Sequence, residues 1–215
     1  MPRPGGPTVV VERARGGSVV NSPVRTRDPA RRERILLAAA RVVAGNGYAA
    51  ANLTEIGAAA GIGGTGIYRH FRNKAALAAA LLDRLLDQLV SHATAITAEY
   101  PDPDRALDAL VRDHLQTAMN DRELFQIYLR ESAILPPDDL RRIRRKMRRY
   151  VDEWVSVMSQ LYPGVSDAEL RTTIQAAIGA LQSMLNFDAR LPRERLSEIL
   201  MSAAHAVLRS TRDAS

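Results

Sequence analysis

From residue 28 onward the apolar residues of this chain recur every three to four positions, the spacing that lines one face of an α-helix. Ile35, Leu36, Ala39, Val42 and Val43 form the first stripe. Asp28-Pro29 supplies an N-cap and a first-turn proline before it, and Gly45-Asn46-Gly47 a stop after it. A short second helix opens at Asn52-Leu53-Thr54-Glu55, where the Asn side chain can accept from the Glu55 amide and the Glu can reach back, and it ends by Ala60-Gly61. From Asn73, another cap, the pattern is helical almost throughout. One long helix runs to Tyr100, and later helices fall at about 104–119, 122–134, 137–161, 166–187 and 193–210, separated by Asn120-Asp121 or by prolines that cannot continue them. The only strand-like run is Val9-Val10-Val11, so the fold is predicted to be all-α.

Residues 1–27 lack this period. They are rich in Pro, Gly, Ser, Val and Arg, with Glu12 the only acid, and are expected to form a disordered basic arm that is a solvated tail first and a DNA-phosphate or minor-groove contact second. The whole chain of 215 residues carries a formal charge of +6, which suits a polyanionic partner. Without cysteine there are no disulfides, thiolate metal sites or thiol catalysis. No apolar stretch reaches the roughly 20 residues needed to span a bilayer, so a soluble, cytoplasmic protein with no membrane partner is expected.

Within this pattern "AGIGGTGIYRHF", Ala60 to Phe71, stands apart, because four glycines in six residues suggest a phosphate-cradling loop. Such a loop needs a strand before it and, in a P-loop, Lys-Ser/Thr after the last Gly. Here a short helix precedes it and Ile67-Tyr68 follows, so a nucleotide-binding enzyme is disfavoured. A helix-turn-helix fits better: with Gly63 as N-cap of a second helix, Ile62 and Ile67 form a hydrophobic staple and Ile67 and Phe71 share the inner face. Thr65, Tyr68, Arg69 and Arg72 then project outward, a polar, basic and aromatic face suited to DNA.

Taken together, Ile35-Leu36, Ala39-Ala40, Gly47-Tyr48, Ile56, Ala60-Gly61-Ile62, Tyr68-Arg69-His70-Phe71 and Lys74 make residues 31–77 resemble the DNA-binding domain of the tetracycline-repressor (TetR) family of bacterial transcription regulators. The resemblance implies a three-helix DNA-binding domain over 28–73 and a helical ligand-binding and dimerisation domain over 74–215. It further implies a homodimer on a roughly palindromic double-stranded operator, released by a small-molecule effector. Family contacts carry over to Asn52, Thr54, Gly64, Thr65, Gly66, Tyr68, Arg69, His70 and Lys74. Of these, Tyr68, His70 and Lys74 suit phosphate or sugar contacts, and Thr65 and Arg69 suit base edges. This chain departs from the family in its glycines: Gly63 replaces a common Ser or Thr cap, Gly66 a small hydroxyl residue and Gly57 an Ala. A helix interior glycine costs about 1 kcal/mol relative to Ala, so the recognition helix is expected to be weak without DNA.

Beyond residue 77 the likeness is architectural. Ile174, Ile178, Leu181 and Leu185, with Leu196, Leu200, Ala203 and Val207, offer apolar stripes for the dimer interface, although the same stripes suit an intramolecular core. Met119, Phe125, Tyr128, Met147, Tyr150, Trp154, Met158, Met184 and Phe187 are bulky candidates for an effector pocket, or for core. The run Leu140 to Tyr150 holds seven cations between Arg141 and Arg149 around the apolar stripe Leu140, Ile143, Met147, Tyr150 and Trp154. This is first a solvated face and second a receptor for an anionic head group such as the phosphates of an acyl-CoA. His92, His114 and His205 are scattered and no catalytic motif is present, so neither enzyme activity, metal nor cofactor is expected. The second class of function is a helical scaffold that has lost DNA binding, for which the glycines speak.

Overall fold

The computed structural model describes residues 29–63, 66–131 and 135–211. The basic arm, the Asp28 cap, Gly64, Thr65 and the predicted helical end at 132–134 lie outside the described residues. The elements are α1 (Pro29–Ala50), α2 (Leu53–Ala59), α3 (Lys74–Glu99), α4 (Pro103–Asn120), α5 (Arg122–Glu131), α6 (Pro137–Leu161), α7 (Asp167–Gln182) and α8 (Arg193–Arg209). Short 3-10 turns occupy Ile67–Arg69 and Ser183–Asn186, and no strand occurs among the described residues. None of the described helices is long and apolar enough to cross a membrane.

Capping chemistry sets most helix starts. The Asn73 side chain accepts from the Ala76 amide at 2.8 Å, Asp102 caps α4 ahead of Pro103, and Ser166 and Glu169 form a reciprocal capping box on α7. Two boundaries differ from the sequence expectation. The first helix was expected to stop at Gly45-Asn46-Gly47, but helix resumes through Ala50 after a kink at Gly47, whose φ of 75° is left-handed. Helix α7 was expected to reach 187, but it tightens into the 3-10 turn after Gln182.

α3 is the central element. Leu77, Leu81, Leu82, Leu85, Leu86 and Leu89 are all buried, and the helix packs on α1, α4, α5 and α6. Its register with α6 is parallel and polar at the edges. Arg142 donates to both carboxylate oxygens of Asp83, Lys146 bridges Asp83 and Asp87, and Glu153 accepts from the hydroxyls of Thr94 and Thr97. Burial alone would raise the Asp83 carboxyl, but Arg142 and Lys146 outweigh it and hold it below the ordinary carboxylate range. One continuous apolar core extends from Ile35 in α1 to Leu208 in α8.

At the middle of the helical bundle sits His114, fully buried on α4. Its Nδ1 lies 2.9 Å from the Tyr150 hydroxyl and its Nε2 lies 3.2 Å from the Gln182 amide nitrogen. With that amide as donor to Nε2, the neutral imidazole carries its proton on Nδ1. Phe125 and Trp154 meet the ring edge-on, and the buried Trp154 indole N–H lies beside the Tyr150 phenol without hydrogen-bond geometry. Burial lowers the His114 pKa to about 4 and pushes the Tyr150 phenol up.

Because the unfolded chain protonates this histidine near 6.5 while the folded chain does so near 4, stability is complete above the higher value and falls as pH drops through the window. The loss attributable to His114 is about 3 kcal/mol. Urea midpoints measured between pH 7 and pH 4 should show that slope, and His114→Phe should lack it; an unchanged slope in the variant would mean other groups cause it.

Candidate nucleic-acid interface

α2 begins at Asn52, whose side-chain oxygen accepts from the Glu55 amide at 2.8 Å. The return contact differs from the expected one: Glu55 binds the side-chain amides of Asn52 and Asn46 rather than the Asn52 backbone, because Asn46 at the end of α1 brings a better placed donor. At the other end, the Gly61 amide donates to Ala58 and the Ile62 amide to Gly57, with Gly61 at φ 69°. This is the Schellman stop, and the left-handed position is why Gly stands there.

The next turn is tight. The Gly66 amide donates to the Gly63 carbonyl at 2.6 Å, and a Cβ on Gly66 would approach that carbonyl to 3.0 Å. The Ile67 carbonyl then accepts from both His70 and Phe71 at 2.9 Å, so an α-type bond forms once. Ile67 and Phe71 are buried as the staple argument required, and a Cβ added at Gly57 would meet the Ile67 Cβ at 3.4 Å, ordinary van der Waals contact, so the packing of Ile67 on α2 leaves room for an alanine there. In place of the expected recognition helix there is thus a 3-10 turn at Ile67–Arg69. The N-cap of this element is Gly66 and not the expected Gly63, and a glycine offers no capping oxygen, which accounts for the short element.

Of the sequence-predicted DNA contacts, Asn52, Thr54, Tyr68 and Arg69 are exposed, and Gly66 and His70 are half-buried; Gly64 and Thr65 lie outside the described residues. Arg69, His70 and the exposed Arg72 make no ion pair or side-chain hydrogen bond among the described residues, leaving their donors available. Lys74 is different. Its ammonium donates to the Ala49 carbonyl at 2.8 Å and sits 4.4 Å from the centre of the Tyr48 ring, while the Tyr48 hydroxyl donates to the Lys74 carbonyl at 3.4 Å. Lys74 therefore ties the kinked end of α1 to the start of α3. Sequence reasoning also missed Arg32, which lies 5.2 Å from the Phe71 ring centre. No spacing signal could have found either contact, since each joins residues far apart in the chain.

The other predicted site residues sort by depth. Phe125, Tyr150 and Trp154 are buried against His114, Met158 and Met184 are buried in the same core, Met119, Tyr128 and Met147 are half-buried around it, and Phe187 is 51% exposed. The structure brings the first five together as packed core and leaves Phe187 out. Among the expected interface residues, Ile174, Ile178, Leu181, Leu185 and Leu200 are buried within the single chain. Leu196 and Val207 are half-buried, and Ala203 is exposed. The large apolar members of those stripes are therefore covered within the chain, where α7 packs on α4, α6 and α8, and α8 on α4 and α7. Among the described residues no group of three or more His, Asp or Glu is placed to hold a metal ion.

Comparison with known proteins places this geometry. Residues 35–81 match the family profile described as bacterial regulatory proteins of the tetR family, and residues 100–186 match the tetracyclin repressor-like C-terminal domain. The chain belongs to the TetR family of bacterial transcriptional regulators. A curated relative, the HTH-type transcriptional activator FasR of Mycolicibacterium smegmatis, is 30% identical over 107 residues, which is 50% of this chain and 49% of that protein. The match thus spans about half the length of the relative. Two solved structures share the TetR fold. AibR, in complex with isovaleryl coenzyme A and operator DNA, has a TM-score of 0.65 and 22% identity over 80% of this chain and 96% of its own. FadR from Bacillus subtilis, in complex with stearoyl-CoA, has a TM-score of 0.66 and 18% identity over 83% and 96%.

A hydroxyl at position 63 should restore what the TetR-type turn lacks here. The Gly63 Cβ direction is open and its φ is not positive, so Gly63→Ser is expected to stabilise the protein by about 0.5–1 kcal/mol. Amide hydrogen exchange at residues 66–71 should slow in the variant; equal exchange would show that capping does not limit this turn.

Proposed function

We propose that this protein is a homodimeric, ligand-responsive DNA-binding regulator that occupies a palindromic operator and, as a repressor, leaves it when a small hydrophobic or amphipathic effector binds. The observation that carries the reading is the run Tyr68, Arg69, His70 and Arg72, exposed but for the half-buried His70, whose side chains make no ion pair or hydrogen bond among the described residues and stand on a turn anchored by buried Ile67 and Phe71. Tyr68, His70 and Lys74 position the protein on phosphates, with Lys74 using donors beyond the one given to Ala49, and Arg69 reads a base edge. An acyl-CoA is the favoured effector, supported by the thioesters bound to AibR and FadR and by the cationic outer face of α6. FasR is named an activator, so the sign of regulation is a separate measurement from operator binding.

The dimer would use the outer face of α7 and α8. There Ala176, Gly179, Ala203 and Ala206 are exposed together with Ile199, so two copies can approach closely and bury a large side chain at the centre. Effector binding would act through α6, whose Arg142 and Lys146 hold α3, the helix that leaves the DNA-binding end. A small shift of α3 changes the separation of two recognition elements that must match half-sites about 34 Å apart. The second reading, a helical module without DNA binding, is favoured by the glycine-shortened recognition turn.

Operator binding should show a steep negative slope of log K against log salt, whereas a module without DNA binding would show no specific complex. Arg69→Ala should cost about 1–3 kcal/mol and relax specificity at one position. A uniform loss over all sequences would make Arg69 a phosphate contact. Asp83→Asn should retain operator affinity yet blunt release by the effector; full release in that variant would remove the ionic lock from the mechanism.

A further inference from the structure

The seven cations of α6 separate into two sets. Arg141 pairs with Asp138, Arg142 with Asp83 and Asp139, and Lys146 with Asp83 and Asp87. Arg144, Arg145, Arg148 and Arg149 are exposed and have neither an ion pair nor a hydrogen bond among the described residues. Three of these four, Arg145, Arg148 and Arg149, line a groove of about 530 Å³ between α6 and α7, floored by Met147 and Val151. Across it stand Gln175 and Arg171, the latter held at 2.7 Å by both Asp152 and Asp167.

Unpaired arginines at i, i+3 and i, i+4 repel one another and weaken the helix that carries them. Solubility does not require that arrangement, since carboxylates are placed against the other cations of the same helix. Asp152 is the one carboxylate in the groove lining, and Arg171 already occupies it. What remains is a cluster of planar, fork-shaped donors facing one space, the chemistry that binds phosphate oxygens in pairs. Arg145 and Arg149 are separated by about 6 Å along the helix, a span suited to two linked phosphates. Beside them, the half-buried Met147 and buried Val151 offer apolar surface to the rest of the molecule. Position argues against operator DNA here: the polar contacts of α6 with α3 begin at Asp83, about 13 Å along α3 from Lys74, and run on to Thr97, and these arginines lie farther along α6 than Arg142, which meets Asp83.

We infer that the groove between α6 and α7 is a binding site for an organic di- or polyphosphate, held by Arg145, Arg148 and Arg149 with Arg171 opposite. The inference deepens the reading of an amphipathic effector and rests on it for its regulatory meaning, while the binding itself can be measured alone.

Full-length protein titrated calorimetrically with coenzyme A, ATP and inorganic pyrophosphate should bind them. The triple variant Arg145→Gln/Arg148→Gln/Arg149→Gln should bind at least tenfold more weakly, with an unchanged circular dichroism spectrum. A charge-matched triple, Arg105→Gln/Arg195→Gln/Arg209→Gln, should bind as the parent does. Tighter binding of coenzyme A or ATP than of pyrophosphate supports a nucleotide-type ligand packed on Met147 and Val151, and equal binding supports recognition of the phosphates alone. The inference is overturned if no phosphate compound binds, if both triples lose affinity equally, or if random-sequence duplex DNA displaces coenzyme A from the groove. Release of operator by a free fatty acid without any phosphate binding would sink the groove and leave the regulator reading standing. Phosphate binding by a protein with no operator affinity would do the reverse.

Discussion

Burial of α3 is the constraint on which the rest of the molecule depends. A helix with leucines on successive faces cannot be solvated on more than a narrow strip, so it must be surrounded. α1, α4, α5 and α6 do this, and the Ile67–Arg69 turn leads into the same helix through Asn73 and Lys74. The arrangement makes α3 the mechanical link between the two ends of the chain. Its polar edge is fixed by Asp83, which Arg142 and Lys146 engage where solvent screening is reduced, a more consequential pairing than the exposed ion pairs around it.

The candidate interface shows how local chemistry limits a recognition element. Gly61 ends α2 at a left-handed position, and Gly66 closes against the Gly63 carbonyl. Both have a steric reason, but glycine's helix propensity is poor, and the described residues form a 3-10 turn at Ile67–Arg69. The anchors nevertheless sit where they must. Ile67 and Phe71 are buried, so Tyr68, Arg69 and Arg72 have no direction left but outward.

Charge is distributed by a similar logic on α6. Its inward stripe of Ile143, Tyr150 and Trp154 builds the core around His114, its lateral cations bind α3, and Arg144, Arg145, Arg148 and Arg149 have no carboxylate partner among the described residues. One helix therefore joins the buried polar cluster, the contact with α3 and the arginine-lined groove.

The all-α fold, the helix order and the outward exposure of Tyr68, Arg69 and Arg72 were legible in the sequence because periodicity, caps and prolines are local signals. Asn52, Asn73, Asp102 and Ser166 cap where those signals placed helix starts. Depth was not legible. The stripe Ile174, Ile178, Leu181 and Leu185 has the same spacing whether it faces a second copy or its own chain, and only tertiary packing shows it buried within the protomer. Met and aromatic residues likewise suit pocket or core, with core the commoner reading, and only the tertiary structure gathers Phe125, Tyr150 and Trp154 around His114. Nor could the sequence say which of seven cations on α6 are neutralised, because their partners Asp83 and Asp87 lie on a helix some sixty residues earlier. Patterns along a chain fix which face of a helix is apolar; which neighbour covers that face is decided only when distant segments meet.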